Sequence, residues 1–386
     1  MVNALRRARD SRYHSISCMV DVKKAFDSVS PHILCIKLRH YGFDDRFCDL
    51  VFSFMTDRSQ FVDVGSTFSR PQTIHRGVPQ GSLLGPLLFL IFFNDLCSLP
   101  FFSNVNIFAD DTSLYISGQD REILVQKLNA DLYTLDSWMR YNYLSINANK
   151  SEIIYFRPSK SLPDLPAGKI QIGCSPIPIR SSIRFLGVLI DDDLSGSAYF
   201  SWLRRKLVGG VAAITRARHY LSEKSLLLIY HAFLSAYMSY GIEAFGFNFK
   251  RHWHPILILQ KRALRLISHS KPDAHTAPLF VRFNLLPYPL LVRQALCLLI
   301  FKMLTGRYPC ILPLKTSCER TRGSKSRLLL LDRSRSCLGY FNICTSGAVV
   351  WNGLPVNIRG FDGSFIVFRR LLSNYLSNQI GTYLTL

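Results

Sequence analysis

The stretch from Val105 to Ile116 constrains the fold of this chain more than any other. Two segments rich in β-branched and aromatic residues, Val105–Phe108 and Thr112–Ile116, flank the tripeptide Ala109-Asp110-Asp111. Aspartate is favoured in tight turns because its side chain bonds nearby backbone groups and tolerates unusual dihedral angles. The pattern therefore predicts a strand, a tight turn and a second strand, with two carboxylates at the tip.

Other predicted strands and helices surround this hairpin. Ile16–Val22 is short, apolar and rich in β-branched residues, which indicates a buried strand that ends at a carboxylate. Ser151–Phe156 and Ile183–Ile190 are predicted as further strands, and Asp191–Asp193 as a surface loop. Strands alternate with helices up to about residue 190, which indicates an α/β or α+β unit, and the sequence beyond Ser201 predicts helices.

The charge of the chain points to a polyanionic partner. It contains 47 basic and 26 acidic residues, a formal net charge of +21, and its sequence pI is near 9.7. Such a field attracts phosphate backbones, although a basic protein can also bind anionic lipid. Helical stretches such as Trp202–Lys206 and Lys261–Arg265 could contact a duplex backbone or could simply be solvated faces.

No segment predicts secretion or a membrane span. Residues Met1–Ser11 are charged and contain no apolar core of the kind that signal peptides have. The most hydrophobic runs, Leu83–Phe93 and Leu226–Met238, fall short of the ~20 apolar residues that a span requires. We therefore expect no membrane partner.

Three carboxylates could act together if the strand before Asp21 neighbours the hairpin. Carboxylates that converge repel one another and take up protons unless a cation neutralises them. Mg²⁺ suits such a set, because it prefers oxygen ligands and leaves positions for phosphate oxygens. An Asp-Asp pair in a turn is more often only solvated, so the pair Asp110-Asp111 needs support from the surrounding sequence.

The surrounding sequence supplies that support. Three segments resemble, in order and spacing, the central motifs of reverse transcriptases, specifically those of non-LTR (LINE-type) retrotransposons: Asp21–Asp27 (DVKKAFD), Arg76–Ser82 (RGVPQGS) and Phe108–Asp111 (FADD). Downstream segments resemble the fourth motif, the primer grip and the tail of these open reading frames: Trp138–Lys150, Phe185–Gly187, Tyr240-Gly241, Gln260–Ala263 and Val350–Pro355. The resemblance covers nearly the whole chain.

The resemblance implies an α+β fold built on a right-hand polymerase palm. The palm combines helices with an antiparallel sheet, and a mostly α-helical thumb and C-terminal region follow it. We accordingly expect a palm with partial fingers over residues 1–192, a helical thumb-like region over 193–275 and a retrotransposon tail region over 276–386.

The resemblance also implies roles for individual residues. Asp21, Asp110 and Asp111 match the catalytic triad that binds two Mg²⁺ ions, or Mn²⁺ in their place. Phe26 matches an aromatic gate that disfavours a ribose 2′-hydroxyl, and the other positions matched to the nucleotide site are Gln80, Gly81 and Ala109. Lys150 matches a lysine proposed to protonate the pyrophosphate, a general-acid role. Phe185, Leu186 and Gly187 match the primer grip.

The expected partners follow from the same resemblance. They are an RNA template, a DNA primer or target DNA, and deoxynucleoside triphosphates, and the expected location is the nucleus. The sequence does not predict an oligomeric state.

The chain departs from the family pattern at its start. It begins only about twenty residues before Asp21, so we expect the basic fingers motifs and the usual upstream endonuclease to be absent from it. We therefore expect an N-terminally truncated reverse transcriptase that polymerises poorly by itself. The alternatives are a non-catalytic nucleic-acid-binding relic and a two-metal nuclease, but a nuclease has no need for Phe26 or for Arg76–Ser82.

Overall fold

The chain folds into two compact units. The structure, a computed structural model, describes residues 1–159, 161–308, 327–331 and 333–384. The first unit comprises Met1 and Tyr13–Leu186, and the second comprises Val2–Arg12 and Gly187–Leu386. An N-terminal helix therefore belongs with the C-terminal half of the sequence.

All the described strands lie between residues 14 and 191. They are β1 (His14–Val20), β2 (Arg58–Gln60), β3 (Asp63–Val64), β4 (Thr67–Phe68), β5 (Gln72–Ile74), β6 (Asn104–Phe108), β7 (Asp111–Gly118), β8 (Glu152–Phe156), β9 (Gln171–Ile172), β10 (Ser175–Pro176), β11 (Ile179–Arg180), β12 (Ser182–Phe185) and β13 (Val188–Asp191).

The helices of the first unit are fewer than those of the second. The α-helices of the whole described chain are α1 (Val2–Asp10), α2 (Ala25–Ser28), α3 (Pro31–His40), α4 (Asp45–Met55), α5 (Leu84–Phe93), α6 (Arg121–Tyr141), α7 (Ser197–Ala217), α8 (Glu223–Tyr230), α9 (Ala236–Ser239), α10 (Ile242–Phe245), α11 (Lys250–Ile267), α12 (Ala277–Arg282), α13 (Tyr288–Leu304), α14 (Cys337–Tyr340), α15 (Ala348–Asn352), α16 (Val356–Arg359), α17 (Phe365–Ser377) and α18 (Ile380–Leu384).

A five-stranded sheet forms the centre of the first unit. Its strand order is β11-β8-β1-β7-β6, and every neighbouring pair is antiparallel except β11 with β8. The register sets Ile16 opposite Ile116 and Cys18 opposite both Leu114 and Ile153. Because side chains alternate along a strand, these apolar residues share one face of the sheet.

Helices α5 and α6 contribute to the core that contains this face. The core includes Phe89, Phe92 and Phe93 from α5, and Leu128 and Leu132 from α6. Asp120 caps α6 by accepting hydrogen bonds from the first-turn backbone amides, in the way that aspartate side chains favour helix starts. The predicted α+β class with an antiparallel sheet is confirmed, whereas the three-part domain division stays a prediction.

A buried arginine ties the N-terminal helix into the second unit. Arg6 of α1 is fully buried, and its Nη1 donates to the carbonyl oxygens of Ala244 and Phe341 at 2.8 and 2.9 Å. Burial lowers the pKa of the Arg6 guanidinium to about 10, and the charge of Asp191 opposes this shift. Arg6 thus joins α1 to two segments that are distant in sequence.

Two predictions for residues 183–193 are wrong. The single strand predicted over Ile183–Ile190 is two strands, β12 and β13, because Leu186 and Gly187 between them adopt positive φ angles of 46° and 77°. Asp191 is 6% exposed, so it is not a surface residue. Its carboxylate accepts hydrogen bonds from the hydroxyls of two serines and from two backbone amides near the start of α7: Ser195, Ser197, Gly196 and Ala198.

None of the described helices combines the length and the apolar character that crossing a membrane requires.

We expect Asp191→Ala to destabilise the second unit by about 2–4 kcal/mol, because four donors lose their acceptor and the charge that faces Arg6 disappears. Urea unfolding followed by tryptophan fluorescence would measure the change. Asp273→Ala, which removes an exposed carboxylate from the same unit, is the matched control. Equal unfolding midpoints for the two variants would contradict the role of Asp191.

Candidate functional site

The pairing of β1 with β7 brings the three predicted carboxylates towards one edge of the sheet. Val20, the last residue of β1, lies opposite Thr112, and Phe108 of β6 lies opposite Asp111. Asp21 therefore follows β1 beside the tip of the β6–β7 hairpin. Ala109 and Asp110 form the two-residue turn, and Ala109 has a φ of 54°, the left-handed region that such hairpin turns use.

A second segment of the first unit fixes the backbone around Asp21. The amide of Asn147 donates to the carbonyl of Asp21 at 2.8 Å, and the amide of Asp21 donates to the Ser151 hydroxyl at 3.2 Å. Val22 forms a β-bridge with Ile146. The backbone of Asp21 is thus held on one side by these contacts, and β1 pairs with β7 on the other.

The electrostatics show that the three carboxylates interact. The pKa of Asp111 is raised, first by burial and then by the negative charges of Asp110 and Asp21. Asp111 is nevertheless exposed by surface area, so solvent screens much of this repulsion. The direction of the shift is the one expected for like charges that converge.

The donor chemistry suits a hard cation, although the described residues contain no preformed cage. Within the described ranges no group of three or more His, Cys, Asp or Glu side chains is arranged to hold a metal ion. The three aspartates offer only oxygen ligands, which favour Mg²⁺ or Mn²⁺ over zinc or copper. The residues present therefore fit a divalent ion in chemical type and in charge.

Phe26 lies close to this edge in sequence and packs against α5. Its ring stacks on Phe89 with centroids 4.3 Å apart, and its side chain is half-buried. The carbonyl of Phe26 accepts from the Val78 amide at 2.9 Å, which ties α2 to the loop before α5. Phe26 is only partly buried, and its match to the aromatic gate stays a prediction.

A glycine allows that loop to approach α2 closely. The Gly77 amide donates to the Val29 carbonyl at 2.8 Å, and a Cβ on Gly77 would lie 2.7–2.9 Å from backbone atoms of Asp27. Gly77 also has a φ of +94°, a conformation that L side chains rarely adopt. Gln80 follows on the same loop, and its Nε2 donates to Oδ1 of Asp27 at 2.6 Å.

Sequence reasoning gave no role to Gly77 or Asp27. Both residues stand inside the motifs that it singled out, so motif membership was the available signal. Their contacts bring the first and second motifs together within the first unit.

The other predicted site residues lie in or beside turns. Lys150 is exposed in the turn after Ile146, and its amide donates to the Asn147 carbonyl at 3.1 Å. Gly81 is exposed with a φ of +80°. Phe185 is the last residue of β12, and Leu186 and Gly187 form the half-buried turn after it, where one compact unit ends and the other begins. No contact of Lys150 or Phe185 with the carboxylates is described.

The two basic stretches of the second unit lie on helices that touch. Arg204, Arg205 and Lys206 are exposed on α7, which packs against α11. Neither helix contains an acidic residue. Burial and the nearby charge of Arg265 lower the pKa of Lys261 on α11.

Comparisons with known proteins agree with the motifs. Residues 3–190 match the family model described as reverse transcriptase (RNA-dependent DNA polymerase). The chain is 28% identical over 275 residues to a probable RNA-directed DNA polymerase from transposon X-element of Drosophila melanogaster, and 26% identical over 279 residues to that of the mobile element jockey from the same organism. Each match covers 69% of this chain but only 30% of the relative.

Further matches extend the range of similar proteins. The chain is 24% identical over 262 residues to a Pol polyprotein from retrotransposable element R1 of Bradysia coprophila, which covers 66% of this chain and 25% of the relative. Among solved structures, apo telomerase from Candida tropicalis aligns with a TM-score of 0.39 and 12% identity, over 80% of this chain and 54% of that one.

Reverse transcriptases generally use divalent metal ions, in keeping with the oxygen donors at the sheet edge. Residues 3–190 form a reverse transcriptase domain, and the named relatives and the ordered motifs show that this domain is similar to those of non-LTR retrotransposons.

Proposed function

We propose that this chain catalyses RNA-directed DNA synthesis, the addition of deoxynucleotides to the 3′ end of a primer. The observation that carries the proposal is the register of β1, β7 and β6, which brings Asp21, Asp110 and Asp111 to one edge of the sheet, where burial and then the two neighbouring carboxylates raise the pKa of Asp111. Phosphoryl transfer of this kind depends on positioning and on charge neutralisation more than on covalent catalysis. A rigid sheet edge with three carboxylates meets that need.

The three aspartates would hold two Mg²⁺ ions, with Mn²⁺ as the alternative. When bound, such ions activate the attacking oxygen and neutralise charge on the phosphates. The contribution of the protein is to keep the carboxylates in place, through the strand pairing and through the contacts of the Asp21 backbone with Asn147 and Ser151. Lys150 would supply a proton to the departing pyrophosphate.

The four residues that match the family's nucleotide-binding positions would form the nucleotide site. They are Phe26, Gln80, Gly81 and Ala109. The Phe26 ring, supported by Phe89, would exclude a ribose 2′-hydroxyl. The positive φ of Gly81 and the compact turn at Ala109 leave backbone accessible to a ligand.

The partners we propose are an RNA template, a DNA primer or target DNA, and deoxynucleoside triphosphates. The exposed cations of α7 and α11, on helices that lack acidic residues, would contact phosphates without reading sequence. Phe185, Leu186 and Gly187 would position the primer end. The proposed domain boundaries, at 192/193 and 275/276, rest on the family resemblance. The proposed nuclear location rests on the same resemblance.

Primer extension on an RNA template tests the proposal directly. We expect slow, Mg²⁺-dependent extension by the wild-type chain and a loss of about 100-fold or more in the Asp110→Asn, Asp111→Asn double variant. Filter binding of the primer–template is the control, because the substitutions leave the basic helices unchanged. Intact binding with no extension by either chain would contradict the proposal and indicate a non-catalytic nucleic-acid-binding relic.

The raised pKa of Asp111 predicts a pH-dependent gain in stability for Asp111→Asn. A carboxyl whose folded pKa is raised loses its stabilising contribution as pH rises through that pKa. In EDTA at pH 7 we therefore expect Asp111→Asn to be slightly more stable than the wild type, and the difference to shrink as pH falls towards 4. Thermal unfolding would measure it, with Asp63→Asn as the control. A less stable Asp111→Asn chain at pH 7 would contradict the repulsion.

Addition of Mg²⁺ should stabilise the wild-type chain more than a chain without the two hairpin carboxylates. A ligand at ten times its dissociation constant stabilises the folded state by about 1.4 kcal/mol, and the Asp110→Asn, Asp111→Asn variant should lose that gain. Equal Mg²⁺-induced shifts in the unfolding temperature of both chains would show that the ion binds elsewhere.

Substitution of Phe26 tests the proposed gate. We expect Phe26→Ala to raise the relative incorporation of ribonucleotides by about tenfold or more, because the ring that would clash with the 2′-hydroxyl is gone. Phe26→Tyr keeps the ring and serves as the matched control. Single-nucleotide extension with deoxy- and ribonucleotides measures the ratio of the two incorporation rates. An unchanged ratio in Phe26→Ala would show that the ring only packs in the core.

A further inference from the structure

Asp27 and Gln80 form a hydrogen bond between two motifs to which sequence reasoning assigned separate roles. Oδ1 of Asp27 accepts from Nε2 of Gln80 at 2.6 Å, and both residues are exposed or half-exposed. An ionised carboxylate can only accept hydrogen bonds, so it selects the NH₂ group of the amide as its partner. The Gln80 carbonyl oxygen, Oε1, is consequently turned away from Asp27.

Backbone contacts hold the two residues at this distance. The Gly77 and Val78 amides donate to the carbonyls of Val29 and Phe26, so the loop and α2 are joined directly before Gln80. After Gln80, the Ser82 hydroxyl donates to the Pro79 carbonyl at 2.7 Å and accepts from the Gly85 amide at 3.0 Å. The loop is therefore fixed on both sides of Gln80, which leaves the amide orientation as its main freedom.

We propose that Asp27 is a positioning residue that sets the Gln80 amide so that its carbonyl oxygen faces the incoming nucleotide as a hydrogen-bond acceptor. This inference rests on the proposed function, which puts Gln80 in the nucleotide site. An acceptor in a fixed orientation selects a donor on the nucleotide, either a sugar hydroxyl or an exocyclic amine of the base. Without Asp27 the amide can rotate by about 180° and present its NH₂ group instead.

The expected effect concerns affinity for the nucleotide. In Asp27→Ala the nucleotide loses a neutral hydrogen bond to the Gln80 carbonyl oxygen, and the loss of such a bond changes an equilibrium by up to about tenfold. We therefore expect Asp27→Ala to weaken nucleotide binding, and to raise KM, by about tenfold while kcat changes little, which is the pattern of a lost binding contribution.

A blocked ternary complex makes the test independent of turnover. The full chain, with glutamine side chains labelled with ¹⁵N, is bound to a primer–template whose primer ends in a dideoxynucleotide, and the next nucleotide is titrated in. The Gln80 amide signal is assigned by its absence in Gln80→Glu. In Asp27→Ala this signal should move from its wild-type position, and the nucleotide affinity should fall. Asp63→Asn, an exposed carboxylate elsewhere in the unit, is the control.

A reversed pair distinguishes positioning from a general structural role. Gln80→Glu alone sets two carboxylates against each other and should weaken binding. Adding Asp27→Asn gives an amide that can donate to the carboxylate introduced at position 80. The second oxygen of that carboxylate then faces the nucleotide as an acceptor. The double variant should therefore recover the affinity for the nucleotide. If Asp27→Ala no longer prefers a nucleotide with a 3′-hydroxyl over a 3′-deoxy nucleotide, the donor is the sugar. If Asp27→Ala loses affinity only for nucleotides whose base carries an exocyclic amine, the donor is the base.

The outcomes separate this inference from the proposed function. A loss of about tenfold in Asp27→Ala, the size expected for one hydrogen bond, with recovery in the reversed pair supports the inference. Wild-type affinity in Asp27→Ala, with polymerisation intact, overturns the inference alone. Absence of any nucleotide effect on the wild-type chain overturns both.

Discussion

The antiparallel register between β1 and β7 is the constraint on which the site depends. It sets Val20 opposite Thr112, so the residue after β1 meets the residues at the tip of the neighbouring hairpin. Side chains alternate along a strand, so a slip of one residue would turn every core residue of β1 to the opposite face. Burial of Ile16, Cys18 and Leu114 therefore specifies the position of Asp21 as well as the stability of the sheet.

The site combines stable packing with unfavourable charge. Strand pairing and the contacts of Asn147 and Ser151 hold the Asp21 backbone, whereas burial and then the like charges of Asp110 and Asp21 raise the pKa of Asp111. A fold optimised for stability alone would not gather these carboxylates, and repulsion of this kind is a common feature of sites that bind cations. The close approach of Gly77 to Asp27 likewise serves the site, because it brings two motifs into hydrogen-bonding distance.

Sequence patterns predicted those strands whose residue types repeat or alternate over a few neighbouring positions. The strands at Asn104–Phe108 and Asp111–Gly118 flank a turn that short windows of sequence reveal. The turn at Leu186 was missed because leucine seldom adopts a positive φ and the apolar run continues through it. Arg6 and the contact of Asp27 with Gln80 depend on approaches between distant segments, which periodicity does not encode. The hydrogen bonds of Asp191 are local, but a run of acidic residues does not reveal that one of them accepts from the start of the next helix.

The central claim is that Asp21, Asp110 and Asp111 bind the catalytic divalent ions. Anomalous scattering from Mn²⁺ tests it most directly, in crystals of the full chain with a blocked primer–template and the next deoxynucleotide. The account predicts manganese peaks within coordination distance of carboxylate oxygens from all three residues and of the nucleotide phosphates. Manganese found only at other acidic residues, with the nucleotide bound, would contradict it.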